Sequence, residues 1–164
     1  MFKDIFEAIN RELQPAIVAG DEFDAKLKSQ FFEGTSHGFF VEVGAYDPVR
    51  FSQTWQLEQL GWNGILVEPN PEKAAILRQK RVASVYEAAC SARANSGKLL
   101  PFYIAGMYSS FLSKSVTAGV VPTHSITVRT RTLDDILVEA GAPSPVDFIS
   151  IDVEGCDIEV LDGV

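Results

Sequence analysis

Four short apolar segments constrain the fold of this chain more than any other feature of its sequence. They are residues 39–43, 65–67, 82–86 and 148–151, each bounded by glycine or by charged residues. Such runs are typical of strands that are buried on both faces, as in a parallel sheet. Helical patterns separate the first three segments, so strand and helix alternate. This alternation predicts right-handed crossovers and an open, mostly parallel α/β sheet.

Capping residues mark the ends of the predicted helices. Gly61 follows the first predicted helix, at 52–60, and Asn70 precedes the second, at 71–81. Thr132 caps the start of the third, at 132–139, and Gly141 follows it. A fourth helix is expected over 154–161.

The remaining segments divide the chain into two predicted parts. Apolar residues at helical spacing over 2–13, and a weaker pattern over 22–32, predict an N-terminal helical segment at 1–37. Two further strands are expected at 99–104 and 125–130, joined by a polar loop at 106–123. Since no linker or repeat divides the rest, residues 38–164 are predicted to form one domain.

Composition excludes several classes of function. The 164 residues carry 14 Lys and Arg against 22 Asp and Glu, a formal net charge of −8. We therefore expect neither nucleic acid nor an anionic membrane as a partner. Two cysteines are too few for a disulfide scaffold, and residues 1–20 lack the apolar core of a secretory signal. A cytoplasmic location is the resulting expectation.

Acidic side chains follow three of the predicted strands. Asp47 lies after the first strand, Glu68 after the second, and Asp152 and Glu154 after the last. Ligands of open α/β sheets bind beyond the carboxyl ends of the strands. Gly44 suits a sharp turn that approaches a ligand closely. Glu68, 24 residues later, has the spacing of an acid that accepts hydrogen bonds from ribose hydroxyls, so an adenosine-type ligand is predicted.

The residues after Gly44 disfavour a dinucleotide. A G-x-G-x-x-G turn would hold the pyrophosphate on bare backbone amides, but here Ala45, Tyr46, Asp47 and Pro48 follow. Proline has no amide donor and the aspartate would repel phosphate. S-adenosylmethionine carries a sulfonium and an ammonium group and no phosphate, so it suits a crevice lined by carboxylates better than NAD or FAD does.

Four ordered motifs, at 41–48, 61–71, 131–135 and 147–155, resemble those of the FkbM-type S-adenosylmethionine-dependent methyltransferases. The last of them reads DFISIDVEG. The resemblance covers roughly residues 38–163. It implies a class I methyltransferase fold, which is a Rossmann-like sheet with helices on both faces. It also implies O-methylation of a hydroxyl group on a sugar, a polyketide or a similar small metabolite.

The resemblance also implies roles for individual residues. Glu42 and Gly44 fall in the first cofactor motif, and Glu68 takes the ribose-binding position. The predicted cofactor-binding set is Glu42, Gly44, Ala45, Tyr46, Asp47, Glu68, Pro69, Asn70 and Asp152. The predicted catalytic residues are Asp152 and Glu154. The chain departs from the family at Pro48, where a glycine is common, and at Ser150, where a lysine is common.

Asp152 is the first choice for a general base that deprotonates the acceptor hydroxyl. It ends the strand that faces the crevice, where desolvation would raise its pKa. Two alternatives stay open for the carboxylates of Asp152, Glu154 and Asp157. They could have the purely structural role of capping the last helix, or they could hold a divalent cation together with Asp47. No motif fixes a metal geometry, so no metal is included in the predicted site. His124 is a further candidate base, although a solvated loop histidine is the simpler interpretation.

Other functions and the extent of the domain are also open at this stage. A non-catalytic adenosyl-ligand-binding protein and a nicotinamide-dependent oxidoreductase are the competing hypotheses. In the family the sheet normally continues beyond the helix at 154–163. The sequence therefore predicts a domain that lacks C-terminal strands, with an exposed sheet edge that a second copy of the chain could cover.

Overall fold

A parallel four-stranded sheet forms the centre of the part of the chain that the structure describes. The computed structural model describes residues 31–32, 35–113 and 120–164. In chain order the elements are β1 (Phe39–Val43), α1 (Trp55–Gln59), β2 (Asn63–Val67), α2 (Pro71–Lys80), β3 (Ser84–Tyr86), β4 (Ala89–Cys90), a 3-10 helix (Arg93–Asn95), β5 (Leu99–Ile104), β6 (His124–Arg131), α3 (Leu133–Ala140), β7 (Phe148–Ile151) and α4 (Asp157–Leu161). The predicted alternation of strands and helices is therefore present.

The order of the strands in this sheet is β3-β2-β1-β7, and all neighbours are parallel. The chain extends the sheet first on one side of β1 and later returns to the other side with β7. Ligands bind open α/β sheets at the point where the order reverses in this way. Val43 pairs with both Val67 and Ile151, so the carboxyl ends of β1, β2 and β7 are level.

Helices cover both faces of the sheet, because alternate side chains of each strand point to opposite sides. On one face, Phe40 and Leu66 pack with Leu57 of α1 and Leu77 of α2. The other face is formed by Val41, Val43, Ile65 and Val67, with Leu133 and Ile136 of α3 and Val160 of α4. All of these residues are at most 1% exposed. Burial of each such side chain stabilises the fold by about 1.5–3 kcal/mol before entropy is counted.

A second, smaller sheet lies next to the carboxyl ends of the strands of the first sheet. Its central strand, β6, runs parallel to β4 and antiparallel to β5. Ala89, Phe102 and Val128 form its small apolar cluster. The sequence predicted β5 and β6 correctly, but β4, with two residues, was missed.

The predicted capping residues are confirmed. Asn70 accepts hydrogen bonds from the amides of Glu72 and Lys73, and Pro71 occupies the first turn of α2. In α3, the Thr132 hydroxyl accepts from the amide of Asp135. Gly61 and Gly141 end their helices with φ of +89° and +61°, a conformation that glycine adopts without a Cβ clash.

Two helices are shorter than predicted, each for a tertiary reason. The first begins at Trp55 rather than at 52, because the Ser52 and Thr54 hydroxyls hydrogen-bond to the carboxylate of Glu42. The last begins at Asp157 rather than at 154. Glu154 and Gly155 have φ of 53° and 94°, values that are incompatible with a right-handed helix.

Several predictions fall outside the described residues. These are the helices expected over 2–13 and 22–32, of which only the helical residues 31–32 are described, and the part of the polar loop at 114–119. None of the described helices has the length and apolar character needed to cross a membrane.

Candidate active site

Seven of the predicted site residues converge on one cleft at the carboxyl ends of β1, β2 and β7. The space in the cleft, with the open solvent at its mouth included, is about 590 Å³. The predicted residues that line it are Gly44, Tyr46, Glu68, Pro69, Asn70, Asp152 and Glu154. The level ends of the three strands explain why residues so distant in sequence meet there.

The turn at Gly44 lies directly against β7. Its φ is +89°, and a Cβ at this position would lie 2.0 Å from the carbonyl oxygen of Asp152. The amides of Gly44 and Ala45 both donate to the Val67 carbonyl, at 2.9 and 3.2 Å. The amide of Asp152 donates to the Val43 carbonyl at 3.0 Å. Three strand ends therefore fix this turn, and only a glycine fits.

The carboxylate of Glu68 organises the floor of the cleft. One oxygen accepts from the Tyr46 amide at 2.9 Å and the other from the Asn70 amide at 2.8 Å. Each oxygen keeps a further lone pair, so two more hydrogen bonds can be accepted from a ligand. Burial raises the pKa of Glu68, while the two amides and the nearby Lys73 ammonium act in the opposite direction.

Tyr46 is held in an unusual conformation at the edge of this floor. Its φ of 44° lies in the left-handed region, which is uncommon for a residue with a side chain. The hydrogen bond from its amide to Glu68 stabilises that conformation. The Lys73 ammonium lies 4.0 Å from the centre of the Tyr46 ring, a cation–π contact.

Asp152 and Glu154 lie at the β7 side of the cleft. Burial, and secondarily the negative charge of Asp157, raise the pKa of Asp152. Within the described residues no hydrogen-bond donor or cation pairs with the Asp152 carboxylate. The Asp157 carboxylate accepts from the Val153 amide at 3.2 Å, so it stabilises the turn before α4 instead of lining the cleft.

A comparison with known protein families identifies the domain that carries this cleft. The family model of the methyltransferase FkbM domain matches residues 42–164. The chain belongs to this family. The resemblance of the four motifs is thereby confirmed, and the match spans all of the cleft-lining residues described above. The searches of the curated proteins and of the solved structures returned no match.

Glu42 is placed in this methyltransferase domain but not in its cleft. It is 3% exposed and lies on the same side of β1 as Phe40. It accepts hydrogen bonds from the Ser52 and Thr54 hydroxyls and from the Gln53 amide. Burial raises the pKa of Glu42, and these hydrogen bonds, with the charge of Arg81, oppose that rise. Glu42 thus anchors the segment that follows the Gly44 turn.

Arg81 completes this buried network, and the sequence analysis did not identify it. Its side chain is fully buried. It donates to Glu58 at 3.0 Å, to the Ser52 and Thr54 hydroxyls, and to the Pro48 carbonyl. No local pattern relates Arg81 to partners 23 to 33 residues earlier.

Ala45 and Asp47 also lie outside the cleft lining. Ala45 is buried in the core cluster with Phe40 and Leu57. The Asp47 carboxylate turns back on its own loop and accepts from the amides of Val49 and Arg50, at 3.0 and 2.8 Å. Both residues shape the turn rather than the surface a ligand would touch.

The other candidate groups do not join this site. His124 is exposed at the start of β6, where its Nδ1 lies 3.0 Å from the Thr123 hydroxyl, and it does not line the cleft. Among the described residues, no three His, Cys, Asp or Glu side chains are arranged to hold a metal ion.

Cys90 and Cys156 do line the cleft. Burial raises the pKa of Cys90 to about 12, so the Cys90 thiol is protonated at neutral pH.

Proposed function

We propose that this member of the FkbM family has a Rossmann-like fold, binds S-adenosylmethionine in the cleft and transfers its methyl group to a hydroxyl of a small metabolite. The observation that carries the proposal is the contact of the Gly44 turn with the Asp152 carbonyl, beside the inward-facing Glu68. This arrangement joins a turn suited to close ligand approach, an acid suited to ribose and a candidate base in one cleft.

The residues present fit this cofactor. The two oxygens of Glu68 each have capacity for one ribose hydroxyl. The carboxylate of Asp152 favours a ligand that carries positive charge. A pyrophosphate fits poorly, because the Asp47 carboxylate already occupies the loop amides of Val49 and Arg50. This last feature argues against the nicotinamide-dependent alternative.

Asp152 would act as the general base in the transfer. The bound cofactor supplies an electrophilic methyl group, and the protein has to position and deprotonate the acceptor hydroxyl. The carboxylate of Asp152 accepts that proton. Burial raises the pKa of Asp152, which makes this carboxylate a stronger base.

Calorimetric titration of the purified chain tests the proposal. We expect heat of binding with S-adenosylmethionine and none with NAD. A folded protein that binds NAD and not S-adenosylmethionine would overturn it.

Replacing Glu68 with glutamine is expected to weaken S-adenosylmethionine binding by about 10- to 100-fold, since hydrogen bonds to a charged group contribute about 1.5–3 kcal/mol. The new amide would also face one of the two backbone donors that the carboxylate now accepts. The matched control is Glu72→Gln, an exposed change in the first turn of α2. Equal affinities for the two variants would remove Glu68 from the ribose role.

Replacing Asp152 with asparagine is expected to lower kcat on the order of 100-fold, a typical contribution of a general base. The fold and cofactor affinity should be kept, because Gly44 contacts the backbone of Asp152 and not its side chain. Release of S-adenosylhomocysteine is measured against pH with an acceptor that the wild type methylates. Since burial raises the pKa of Asp152, wild-type activity should fall as the carboxylate is protonated below that pKa. The control is Asp162→Asn, an exposed change directly after α4. If Asp152→Asn kept both the kcat of this control and its loss of activity at low pH, Asp152 would have a structural role only.

A further inference from the structure

Lys73 of α2 is connected to both groups that form the floor of the cleft. Its ammonium nitrogen lies 4.0 Å from the centre of the Tyr46 ring. Its charge also acts on Glu68: burial raises the pKa of that carboxyl, and Lys73 is one of the groups that oppose the rise. Lys73 is not among the residues that line the cleft. It therefore acts on a ligand there through Tyr46 and Glu68 and not by direct contact.

The cap of α2 fixes Lys73 relative to the Glu68 carboxylate. The Asn70 side chain accepts from the amides of Glu72 and Lys73, at 3.0 and 3.5 Å. The Asn70 amide in turn donates to the Glu68 carboxylate at 2.8 Å. Lys73 itself is half-buried in the first turn of the helix. One residue thus ties both the start of α2 and the Glu68 carboxylate into a single arrangement.

Tyr46 depends on this arrangement for its conformation. Its left-handed φ of 44° is stabilised by the hydrogen bond from its amide to Glu68, at 2.9 Å. Such a bond is strongest when the carboxylate is ionised. Lys73 therefore supports Tyr46 in two ways, through its cation–π contact with the ring and through the charge of the carboxylate that accepts from the amide.

The other ionisable groups near Glu68 do not share this role. Those that line the same cleft are Tyr46, Cys90, Asp152, Glu154 and Cys156. At the end of β3, the next strand of the sheet, Glu87 pairs with Arg78 at 3.0 Å. The pKa of Glu68 is set by burial, by two backbone amides and by the charge of Lys73. Among the described residues, Lys73 is therefore the charged group that opposes the effect of burial on Glu68.

We propose that Lys73 is a positioning residue for the cofactor: from outside the cleft lining, its ammonium group stabilises the negative charge of Glu68 and holds the Tyr46 ring in place. The inference rests on the proposed binding of S-adenosylmethionine. It adds that cofactor affinity depends on a cation that does not touch the cofactor, and that this dependence grows as the pH falls.

Calorimetric titration of Lys73→Met with S-adenosylhomocysteine, which lacks the sulfonium charge, tests the inference from about pH 5 to about pH 9. At the alkaline end the variant should bind about 2- to 5-fold more weakly than the wild type, because the cation–π contact is lost. Affinity should fall in both proteins as Glu68 is protonated. Without Lys73 the pKa of Glu68 rises further, so the fall begins at a higher pH and the difference between the proteins widens by a further factor of about three. Equal affinities at every pH, or a ratio that does not change with pH, would overturn the inference.

Two further variants separate the charge of Lys73 from general effects. Lys73→Arg keeps a cation over the ring and should bind within about twofold of the wild type. Lys80→Met makes the same change in net charge at an exposed position of the same helix, and should keep the wild-type pH profile. A Lys73→Arg variant as weak as Lys73→Met, or a Lys80→Met variant with the same profile as Lys73→Met, would contradict the assigned role.

The same titration in a Glu68→Gln background identifies the group through which Lys73 acts. With no carboxyl at position 68, adding Lys73→Met should change the affinity by the same factor at every pH. A factor that still depends on pH would show that Lys73 acts through another ionisable group of the cleft, and the inference would be wrong.

Failure of this inference is distinguishable from failure of the proposed function. A wild-type chain that binds S-adenosylhomocysteine, with Lys73→Met indistinguishable from it, would remove the role of Lys73 alone. A folded wild-type chain that binds neither S-adenosylmethionine nor S-adenosylhomocysteine would overturn the proposed function, and this inference with it.

Discussion

Gly44→Ala is expected to lower S-adenosylmethionine affinity by about 10- to 100-fold, since the turn can keep its position only at a cost of about 1–3 kcal/mol and each 1.4 kcal/mol is about tenfold in affinity. The added Cβ would lie 2.0 Å from the Asp152 carbonyl oxygen, so the turn or β7 has to move. Neither can move freely, because Gly44, Ala45 and Asp152 all donate backbone hydrogen bonds to neighbouring strand ends.

The same substitution should also destabilise the fold. A side chain at a φ of +89° costs about 1–2 kcal/mol, and forcing a methyl group into a packed site adds about 1–3 kcal/mol. We therefore expect a loss of about 2–5 kcal/mol in the free energy of unfolding, measured by denaturant titration.

Gly97→Ala separates the two causes. Gly97 has a similar φ of +79°, but nothing lies within 4 Å of the place its Cβ would take. This control should show the backbone strain alone and keep its affinity for the cofactor. Wild-type affinity in Gly44→Ala would show that the turn does not contact the ligand.

Removing the charge of Arg81 should produce the other large effect. Arg81→Met is expected to reduce the free energy of unfolding by about 3–5 kcal/mol, the usual result of leaving a buried charge without its partner. The side chain is fully buried between Glu42 and Glu58, and it also donates to the Pro48 carbonyl. Both carboxylates would lose their cation, and the segment after the Gly44 turn would lose its anchor.

The pH dependence of the Arg81 variant has a defined sign. Burial already raises the pKa of Glu42 above its ordinary value, and Arg81 is one of the groups that lower it. Without Arg81 this pKa rises further, so the folded state takes up a proton that the unfolded state does not. The stability deficit of the variant should therefore be smaller at about pH 5 than at about pH 8.

An exposed arginine provides the matched control for Arg81→Met. Arg78 pairs with Glu87 at 3.0 Å, but 45% of its side chain is exposed, and such surface pairs contribute at most about 1 kcal/mol. Arg78→Met should therefore have little effect at either pH. Equal stability losses for Arg78→Met and Arg81→Met would contradict the structural role assigned to the buried network.

Local signals in the sequence predicted the parts of the fold that local interactions determine. Asn70 and Thr132 cap their helices with their own side chains, and Gly61 ends α1 through its own φ. Gly44 and Glu68 could be placed at the cleft because strand ends were readable and parallel strands bring those ends together.

The features of the fold that the sequence did not predict depend on contacts between segments that are distant in the chain. Glu42 points to the face that α1 and α2 cover, where it pairs with Ser52, Thr54 and Arg81. The left-handed Glu154, which delays α4, lies beside Ser110, 44 residues earlier. β4 has two residues and pairs with β6 about 40 residues later, so it has no local pattern.

The level pairing of Val43 with Val67 and Ile151 limits how relatives of this domain can diverge. Insertion of one residue within β2 would turn every later side chain of the strand to the other face, and Glu68 would leave the cleft. The Glu68 side of the cleft can therefore change by substitution but not by length. The segment between β5 and β6 is a connection, where changes of length are tolerated. Changes in chain length are thus compatible with this fold between β5 and β6, but not within the strand that brings Glu68 to the cleft.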